Sequence, residues 1–263
     1  EGFNPVIVDL KPNTYNIDYE DLKKKISVNT SLVLITHLSG YATSMEKIID
    51  ITNQYEVPFI EDCSQALYSE NNGKLLGSFG VASIFSLCLN KTVSTVKGGM
   101  IISKDKDLLE SIRADVPLLK RRNLMNEITE AFKQIFIKLA VQQYIFKFFL
   151  YPLIYISVKK FDFVSNFLRT NKTVILRSKM PKQFFVPFTW QQAIIGLREL
   201  ESMFYREEKR IKNGLFMYSN IKSDKKLIIP ERVRNSRDTF WLFPVIAKDP
   251  GDFRKYLIKY GID

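Results

Sequence analysis

The amino-acid sequence predicts an α/β protein in which a mostly parallel sheet is flanked by helices. Strand-like and helix-like segments alternate over the first 62 residues, and each strand-like segment is a short apolar run. Strands joined through helices make right-handed crossovers and therefore a parallel sheet. Hydrophobic residues make up 46% and charged residues 25% of the 263 residues, a composition typical of a globular chain with a sizeable core.

The first elements follow from apolar spacing and from capping residues. An apolar run predicts a short buried strand at residues 5–10. Residues 18–27 are predicted to form an amphipathic helix, because Leu22 and Ile26 lie four positions apart and Asp18 is a suitable N-cap. The next predicted elements are a strand at residues 31–36, a helix capped by Ser44 and a strand at residues 57–61.

The rest of the chain is predicted to contain two strands around a loop, two helices and a final strand and helix. These elements are strands at residues 82–87 and 99–103, helices at 105–113 and 187–212, a strand at 239–247 and a helix at 249–260. The long helix has one apolar stripe. The stripe consists of Ala193, Ile194, Leu197, Leu200 and Met203.

Cysteine, histidine and targeting signals argue against several classes of function. Cys63 and Cys88 have no metal-ligand spacing, and both are predicted to be buried, reduced thiols. His37 is the single histidine in the sequence, so we expect no metal site. No G-x-G-x-x-G follows a strand, which argues against a nicotinamide cofactor. The chain opens without a signal peptide, and we expect a cytoplasmic protein.

One lysine and two neighbouring carboxylates lie where a parallel sheet binds ligands. Glu61 and Asp62 end one predicted strand, and Lys91 follows the next strand along the chain. Enzymes that use pyridoxal phosphate need a lysine amine that bonds to the cofactor and an acid that keeps the pyridine nitrogen protonated. Side chains alternate along a strand, so only one of Glu61 and Asp62 is expected to reach such a cofactor.

Four ordered sequence blocks resemble a known enzyme family. The blocks are Thr36-His37-Leu38-Ser39-Gly40, Ile60-Glu61-Asp62-Cys63-Ser64-Gln65-Ala66, Gly77-Ser78-Phe79-Gly80, and Phe85-Ser86 with Lys91 and Gly98-Gly99. Through these blocks, residues 31–103 resemble the DegT/DnrJ/StrS family of pyridoxal phosphate-dependent sugar aminotransferases. The resemblance implies the aspartate-aminotransferase fold, which is fold type I. We expect the chain to be a fragment that lacks elements of this fold at both ends.

The resemblance also implies which residues form the site. Lys91 corresponds to the catalytic lysine that binds the cofactor, and Asp62 to the partner of the pyridine nitrogen. Gln65 corresponds to a position beside the phenolic oxygen of the cofactor, and Ser86 to a phosphate-binding serine. A structural role stays open for both, as a polar residue at a helix start and as a strand serine bonded to the backbone. His37 corresponds to a position near the site, and its role is open.

The resemblance implies transamination of a nucleotide-linked keto sugar in amino-sugar synthesis for a surface polysaccharide. An amino acid such as glutamate is the expected donor, and a homodimer is the expected assembly. Family members that are dehydratases replace the lysine, so the presence of Lys91 favours transamination. The alternative is a non-catalytic member or fragment that serves in association with a membrane or a partner.

The net charge of +11 is concentrated in one segment. Residues 113–182 contain fourteen basic and four acidic residues. Within them, residues 126–160 place lysines beside bulky apolar residues, but the longest uncharged run, 148–158, is shorter than the ~20 residues of a spanning helix. Such a segment suits a peripheral contact with the inner face of the membrane, or packing on its own domain or a partner subunit. We expect no nucleic acid partner.

These observations divide the chain into three parts. Residues 1–125 are predicted to form the pyridoxal phosphate-binding large domain without its N-terminal part. Residues 126–182 are predicted to be a basic, hydrophobic helical insertion. Residues 183–263 are predicted to contain the long helix and the start of a small C-terminal α+β domain.

Overall fold

The computed structural model describes residues 3–95, 97–119, 142–153 and 185–260, together with residues 125, 128, 129, 132, 136 and 139. The chain separates into two compact units. The first unit combines Glu1–Ser111 with Thr189–Asp263, and the second is Ile112–Phe188.

The described elements follow the alternation that the sequence predicts. The strands are β1 (Val33–Thr36), β2 (Phe59–Asp62), β3 (Glu70–Asn71), β4 (Lys74–Leu75), β5 (Ala82–Ser86), β6 (Gly99–Ser103), β7 (Leu227–Ile228), β8 (Ser236–Arg237) and β9 (Ile246–Ala247). The helices are α1 (Tyr19–Lys25), α2 (Met45–Gln54), α3 (Lys106–Asp115), α4 (Gln143–Ile145), α5 (Trp190–Asn220) and α6 (Pro250–Lys259). A 3₁₀ turn at Val116–Leu118 follows α3, and a π-helical turn at Phe146–Leu150 follows α4.

The main sheet confirms the predicted fold class. Its strand order is β1-β2-β5-β6, in which β1, β2 and β5 are parallel and β6 is antiparallel to β5. Two small antiparallel sheets accompany it, one of β4-β3-β8 and one of β7-β9. The carboxyl ends of β1 and β2 lie side by side, because Thr36 pairs with Asp62. Ligand sites of parallel sheets are expected at this edge.

The two faces of the main sheet differ in burial. Val33 and Phe59 point to the core face, where they pack with Met45 and Ile48 of α2 and with Leu22 of α1. Each such buried side chain contributes roughly 1.5–3 kcal/mol to folding. The opposite face is only partly covered by the described residues, and it carries the alternate side chains of each strand. Its members include Leu34, Ile60, Asp62, Ile84, Ser86 and Ile101.

The local signals for the first two helices are confirmed. Asp18 is the N-cap of α1, and its carboxylate accepts hydrogen bonds from the backbone N–H groups of Glu20 and Asp21. Ser44 is at the N-cap position of α2, but its side chain makes no capping hydrogen bond. Leu22, four residues after its cap, is buried as the helical spacing requires.

The predicted strand at residues 5–10 is wrong. Residues 3–9 have no regular structure, and Val6 and Ile7 are exposed. Within the described part of the chain no strand pairs with this run, in which Leu10 makes only an isolated bridge to Ile17. Two of its backbone oxygens accept hydrogen bonds from other groups. Asp9 O accepts the N–H of Asp18, and Ile7 O accepts Lys25 Nζ. An apolar run has side chains that suit a strand, but a strand also needs a neighbouring strand to pair with.

Helix α5 is longer than predicted, and a different face is buried. Thr189 and Gln192 form a capping box at its start, three residues after the predicted one. Of the predicted apolar stripe, only Met203 is buried. The buried face is instead narrow and partly polar. It consists of Gln192, Gly196, Met203, Glu207, Ile211 and Gly214.

The C-terminal strand is much shorter than predicted. Only β9 forms within residues 239–247, because the segment before it bends away from strand geometry at Phe240, which has φ of 49°. The helix predicted at residues 249–260 is confirmed as α6, with Asp249 as its N-cap. Its predicted end at Gly261 lies outside the described residues.

Much of the predicted insertion at 126–182 lies outside the described residues. Its described part includes α4 and the π-helical turn, with Tyr144, Phe148 and Phe149 exposed. Among the helices that the structure describes, none is both long enough and apolar enough to cross a bilayer.

Gly214→Ala tests how closely α5 packs on the segment around Phe240. A Cβ at this position would lie 2.3 Å from Phe240 Cγ, and Phe240 is buried. Alanine favours a helix interior over glycine by ~1 kcal/mol, but overpacking costs about 1–3 kcal/mol. We therefore expect a lower free energy of unfolding, measured by urea denaturation. Gly251→Ala in α6, where the nearest heavy atom is 3.5 Å away, should be neutral or stabilising. A stabilised Gly214→Ala variant would contradict this packing.

Candidate functional site

The site is built around the loop that follows β5, residues 87–98, which is called the Lys91 loop. The loop starts at Leu87, whose N–H donates to Gly98 O at 3.0 Å, and Thr95 N–H donates to Leu87 O at 2.9 Å. Val93 is buried inside it, packed with Leu87 and with Met203 of α5. The loop therefore returns to its own start and closes over a small apolar cluster.

Lys91 lies half-buried on this loop. Its backbone N–H donates to Cys88 O at 3.0 Å, and its Nζ lies 4.1 Å from the centroid of the Trp241 ring. Burial lowers the pKa of Lys91, and the electrostatic interactions with Cys88 and Asp62 oppose this shift. A larger fraction of the amine is therefore unprotonated and nucleophilic at a given pH than for an ordinary lysine.

Glu61 and Asp62 point to opposite faces of β2, as strand alternation requires. Glu61 is fully buried on the core face, whereas Asp62 is half-buried on the less covered face at the strand's carboxyl end. Asp62 Oδ1 accepts the N–H of Ser64 at 2.9 Å. Of the two carboxylates, Asp62 is the one whose charge acts on Lys91.

The carboxylate of Glu61 is enclosed by hydrogen-bond donors. Gly77 N–H donates to Oε2 at 2.7 Å, and the N–H groups of Phe79 and Gly80 donate to Oε1 at 2.7 and 2.9 Å. His37 Nε2 lies 3.2 Å from Oε2. Burial alone would raise the pKa of Glu61, but His37 and the backbone N–H groups of Gly80 and Gly77 lower it below its ordinary value. Glu61 thus joins the end of β1, the end of β2 and the Gly77–Gly80 turn.

The pair of His37 and Glu61 also lies near Cys63, and the three could in principle hold a metal ion. All three side chains are buried. The oxygens of Glu61 are already bonded to four donors, and burial, followed by the nearby carboxylates, strongly raises the pKa of Cys63. A protonated thiol is a poor metal ligand. The chemistry of this cluster is therefore that of a hydrogen-bonded support.

Gln65 and Ser86 are both partly satisfied by backbone groups. Gln65 Oε1 accepts the N–H of Ser39 at 2.8 Å, which fixes the orientation of the amide and leaves its NH₂ group as the donor. Ser86 Oγ accepts the N–H of Cys88 at 3.4 Å, and its hydroxyl hydrogen can still be donated. Cys88 itself is exposed, so its predicted burial is wrong. It follows the end of β5, where the chain leaves the sheet.

Helix α5 holds the Lys91 loop at Thr92. Arg206 Nη2 donates to Thr92 O at 3.0 Å, and Arg210 Nη1 donates to Thr92 Oγ1 at 3.1 Å. Glu207 lies between these arginines on the buried face of the helix, 2.7 Å from Arg210 Nη1. Burial raises the pKa of Glu207, and the two arginines oppose the shift. Neither oxygen of Glu207 has a well-directed hydrogen bond within the described residues.

The same helix holds the end of the loop through Gln192. Its Nε2 donates to Lys97 O at 2.6 Å and to Thr95 O at 3.2 Å, while its Oε1 accepts the N–H of Thr189 in the capping box. The loop backbone next to Lys91 is therefore positioned by residues that follow it by about a hundred positions.

The sequence did not predict most of the α5 residues that bind the Lys91 loop. Arg206, Glu207 and Arg210 resemble ordinary helix charges, because their partner on the loop is far away in sequence. One signal was available, since Glu207 lies four positions after Met203 and therefore on the same helix face. The contact of Trp241 with Lys91 has no sequence signal of this kind.

Comparison with known proteins assigns the chain to a family. The sequence pattern described as the DegT/DnrJ/EryC1/StrS aminotransferase family matches residues 1–134, half of the chain. The chain belongs to this family. The matched region contains Asp62, Gln65, Ser86 and Lys91, and the resemblance that the ordered blocks predicted is confirmed.

Curated relatives in the family are similar over the same region. GDP-perosamine synthase of Escherichia coli O157:H7 is 36% identical over 109 residues, which are 41% of this chain and 30% of that protein. The dTDP-3-amino-3,6-dideoxy-alpha-D-galactopyranose transaminase of Aneurinibacillus thermoaerophilus is 38% identical over 112 residues, 42% of this chain and 31% of that protein. The match thus spans about a third of each relative's length.

Solved structures share the fold over nearly the whole chain. AtS13 from Actinomadura melliaura has a TM-score of 0.67 at 21% identity, and covers 97% of this chain and 58% of its own. The E. coli GDP-4-keto-6-deoxy-D-mannose-3-dehydratase, solved with hydrated PLP, has a TM-score of 0.65 at 21% identity, with 97% and 58% covered. The predicted fold type I architecture is confirmed.

Glu61→Gln tests the support beneath the site. A neutral amide has one acceptor oxygen in place of two and turns an NH₂ group toward N–H donors. Loss of bonds to a buried charge should lower the free energy of unfolding by about 3 kcal/mol at neutral pH. Because the folded-state pKa of Glu61 is below its ordinary value of 4.5, its stabilisation is present above that value and is lost as the pH falls. The difference between wild type and variant should therefore shrink in acid.

Urea denaturation at several pH values measures this difference. Glu110→Gln, the same substitution at an exposed position of α3, is the matched control and should leave stability nearly unchanged. Equal stability of Glu61→Gln and wild type at neutral pH would show that the buried carboxylate does not support the fold.

Proposed function

We propose that the protein transfers an amino group to a nucleotide-linked keto sugar, with pyridoxal phosphate as cofactor and an amino acid such as glutamate as donor. The product would be an amino sugar for a surface polysaccharide. One observation carries the proposal. Lys91, an amine whose pKa is lowered by burial, interacts with the Asp62 carboxylate at the ligand-binding edge of the sheet in a chain of this family.

The residues fit this cofactor by their chemistry. Lys91 offers a primary amine for the aldehyde, and Asp62 offers a carboxylate on the less buried face. The Gln65 amide, oriented by Ser39, retains N–H donors for the phenolic oxygen. Ser86 retains a hydroxyl hydrogen for the phosphate. The aldehyde, the pyridine nitrogen, the phenolic oxygen and the phosphate of the cofactor therefore each have a suitable partner among these residues.

When bound, pyridoxal phosphate supplies an aldehyde that accepts amino groups and a ring that takes up electrons. Lys91 would hold the cofactor covalently and, as a free amine, would move a proton at the reacting carbon as general base and acid. Asp62 would keep the pyridine nitrogen protonated, because an opposite charge favours the protonated form. Gln65 and Ser86 would orient the ring and the phosphate.

The names of similar proteins support the substrate class. One relative is named for GDP-perosamine and another for a dTDP-linked amino sugar. A further relative, 31% identical over 112 residues, is the spore coat polysaccharide biosynthesis protein SpsC of Bacillus subtilis. These names are the basis for proposing a nucleotide-linked sugar and a polysaccharide product for this protein.

The proposal extends to assembly and domains. A homodimer is supported by apolar side chains that α5 leaves exposed, among them Ile194, Leu197 and Phe204. We assign the cofactor to residues 1–125, and the long helix and the start of a small domain to residues 183–263. We assign to the segment 126–182 a peripheral contact with anionic membrane lipid through residues 126–160.

Covalent labelling tests the cofactor and its lysine. After incubation with pyridoxal phosphate, borohydride reduction and peptide mapping should find the pyridoxyl group on Lys91. Lys91→Ala should lose the label, and Lys97→Ala, on the same loop, should keep it. With the loaded protein, glutamate alone should change the near-visible absorbance, since the amino group moves to the cofactor before any sugar binds. A label on Lys97, or no response to glutamate and other amino acids, would contradict the proposal.

Sedimentation with lipid vesicles tests the membrane contact. The protein should sediment with vesicles that contain anionic lipid and be released at high salt, because screening weakens attraction to the surface. Vesicles of neutral lipid alone are the control. A protein that stays in the supernatant at low salt as a monodisperse dimer would contradict membrane contact and favour a packed insertion.

A further inference from the structure

Trp241 contacts the Lys91 loop through both parts of its side chain. Lys91 Nζ lies 4.1 Å from the ring centroid, within the range of a cation–π interaction. The indole Nε1–H donates to Asn90 O at 2.8 Å. The hydrogen bond fixes the ring relative to the loop backbone, and the ring then faces the amine of the next residue. Trp241 thus makes two independent contacts with neighbouring positions of the loop.

The segment around Trp241 is anchored on the turn that follows β1. Thr239 N–H donates to Gly40 O at 2.9 Å, and Leu242 N–H donates to Ser39 O at 3.2 Å. The approach is close, because a Cβ on Gly40 would lie 2.6 Å from Trp241 N. Gly40 also has φ of 82°, a conformation that favours glycine. The segment can occupy this place because residue 40 lacks a side chain.

The residue before Trp241 fixes the direction in which the indole leaves the backbone. Phe240 is 4% exposed, and its ring meets Tyr41 edge-on with centroids 5.4 Å apart. It also packs against Gly214 of α5. With Phe240 held on one side of the chain, Trp241 projects toward the Lys91 loop.

We propose that Trp241 is a positioning residue for Lys91. The ring face of Trp241 holds the protonated amine of Lys91 and releases this amine when it loses its proton. The proposal goes beyond the proposed function and rests on it only in that Lys91 is the reacting amine. A lysine side chain has about 2 kcal/mol of rotamer entropy, so a fixed contact restricts where its amine lies. A neutral amine is no longer attracted to the ring quadrupole and is free to react.

The other groups that act on Lys91 set the sign of the expected effect. Asp62 of β2 and Cys88 of the same loop favour the charged amine, and burial disfavours it. The ring face of Trp241 adds to the stabilisation of the charged form. A leucine in place of Trp241 keeps apolar surroundings but removes the ring. The pH at which Lys91 becomes reactive should then fall.

Competitive acetylation measures this midpoint for Lys91 in the whole 263-residue chain. Trace acetic anhydride is added at a series of pH values, and the Lys91 peptide is quantified by mass spectrometry. In Trp241→Leu the midpoint should fall by about half a pH unit, which corresponds to a cation–π contact of ~0.7 kcal/mol at 1.36 kcal/mol per unit. Trp241→Phe, which keeps a ring face without the N–H donor, should have a midpoint close to that of the wild type.

Trp190 provides the matched control, because it is the other tryptophan of the chain and is 69% exposed at the start of α5. Trp190→Leu should leave the Lys91 midpoint unchanged. An unchanged midpoint in a folded Trp241→Leu variant would overturn the proposal. An equal shift in Trp241→Phe and Trp241→Leu would also overturn it, because the effect would then come from the bond to Asn90.

Fluorescence provides a second measurement that leaves Trp241 in place. In Trp190→Phe, Trp241 is the single tryptophan, and its emission should change with pH at the midpoint found for Lys91. This step should disappear when Lys91→Met is added, whereas tyrosine ionisation would persist. If the change in Trp241 emission at this midpoint persists after Lys91→Met is added, the proposal is overturned, even if Trp241→Leu does not fold. Neither measurement uses pyridoxal phosphate, so a failure here is distinct from a failure of the proposed function.

Discussion

The buried carboxylate of Glu61 is the constraint on which the candidate site depends. A fully buried charge is costly unless donors surround it, and here three backbone N–H groups and His37 do so. These bonds join the ends of β1 and β2 to the Gly77–Gly80 turn. Because side chains alternate along β2, fixing Glu61 on the core face also fixes Asp62 on the opposite face. The residue proposed to act in chemistry is thus oriented by its neighbour, which has a structural role.

The described residues of the Lys91 loop have no regular structure of their own, and the shape of the loop is imposed by distant segments. Helix α5 binds its backbone through Gln192, Arg206 and Arg210, and the segment around Trp241 binds Asn90 and the lysine amine. A flexible loop held at several points loses conformational entropy before a ligand arrives, which favours a defined position for the reacting group. This arrangement explains why the buried face of α5 is partly polar.

Local signals predicted the parts of the fold that depend on local forces. Apolar runs and N-caps located α1, α2, β1, β2, β5 and β6, and alternation along β2 separated Glu61 from Asp62. The same signals failed where a partner was needed. The run at residues 5–10 has strand-like side chains without a neighbouring strand among the described residues, and residues 239–245 bend at Phe240 to follow the end of β1.

The sequence by itself determined the fold class, the order of the main elements and the candidate residues Asp62, Gln65, Ser86 and Lys91. Only the tertiary structure decided which face of α5 is buried and which residues surround Lys91. The physical reason is the distance along the sequence over which each interaction acts. Periodicity and capping act over a few residues, whereas Trp241 reaches Lys91 across 150 positions through the packing of Phe240 and the bare backbone of Gly40. Contacts of that separation are fixed by the folded chain as a whole.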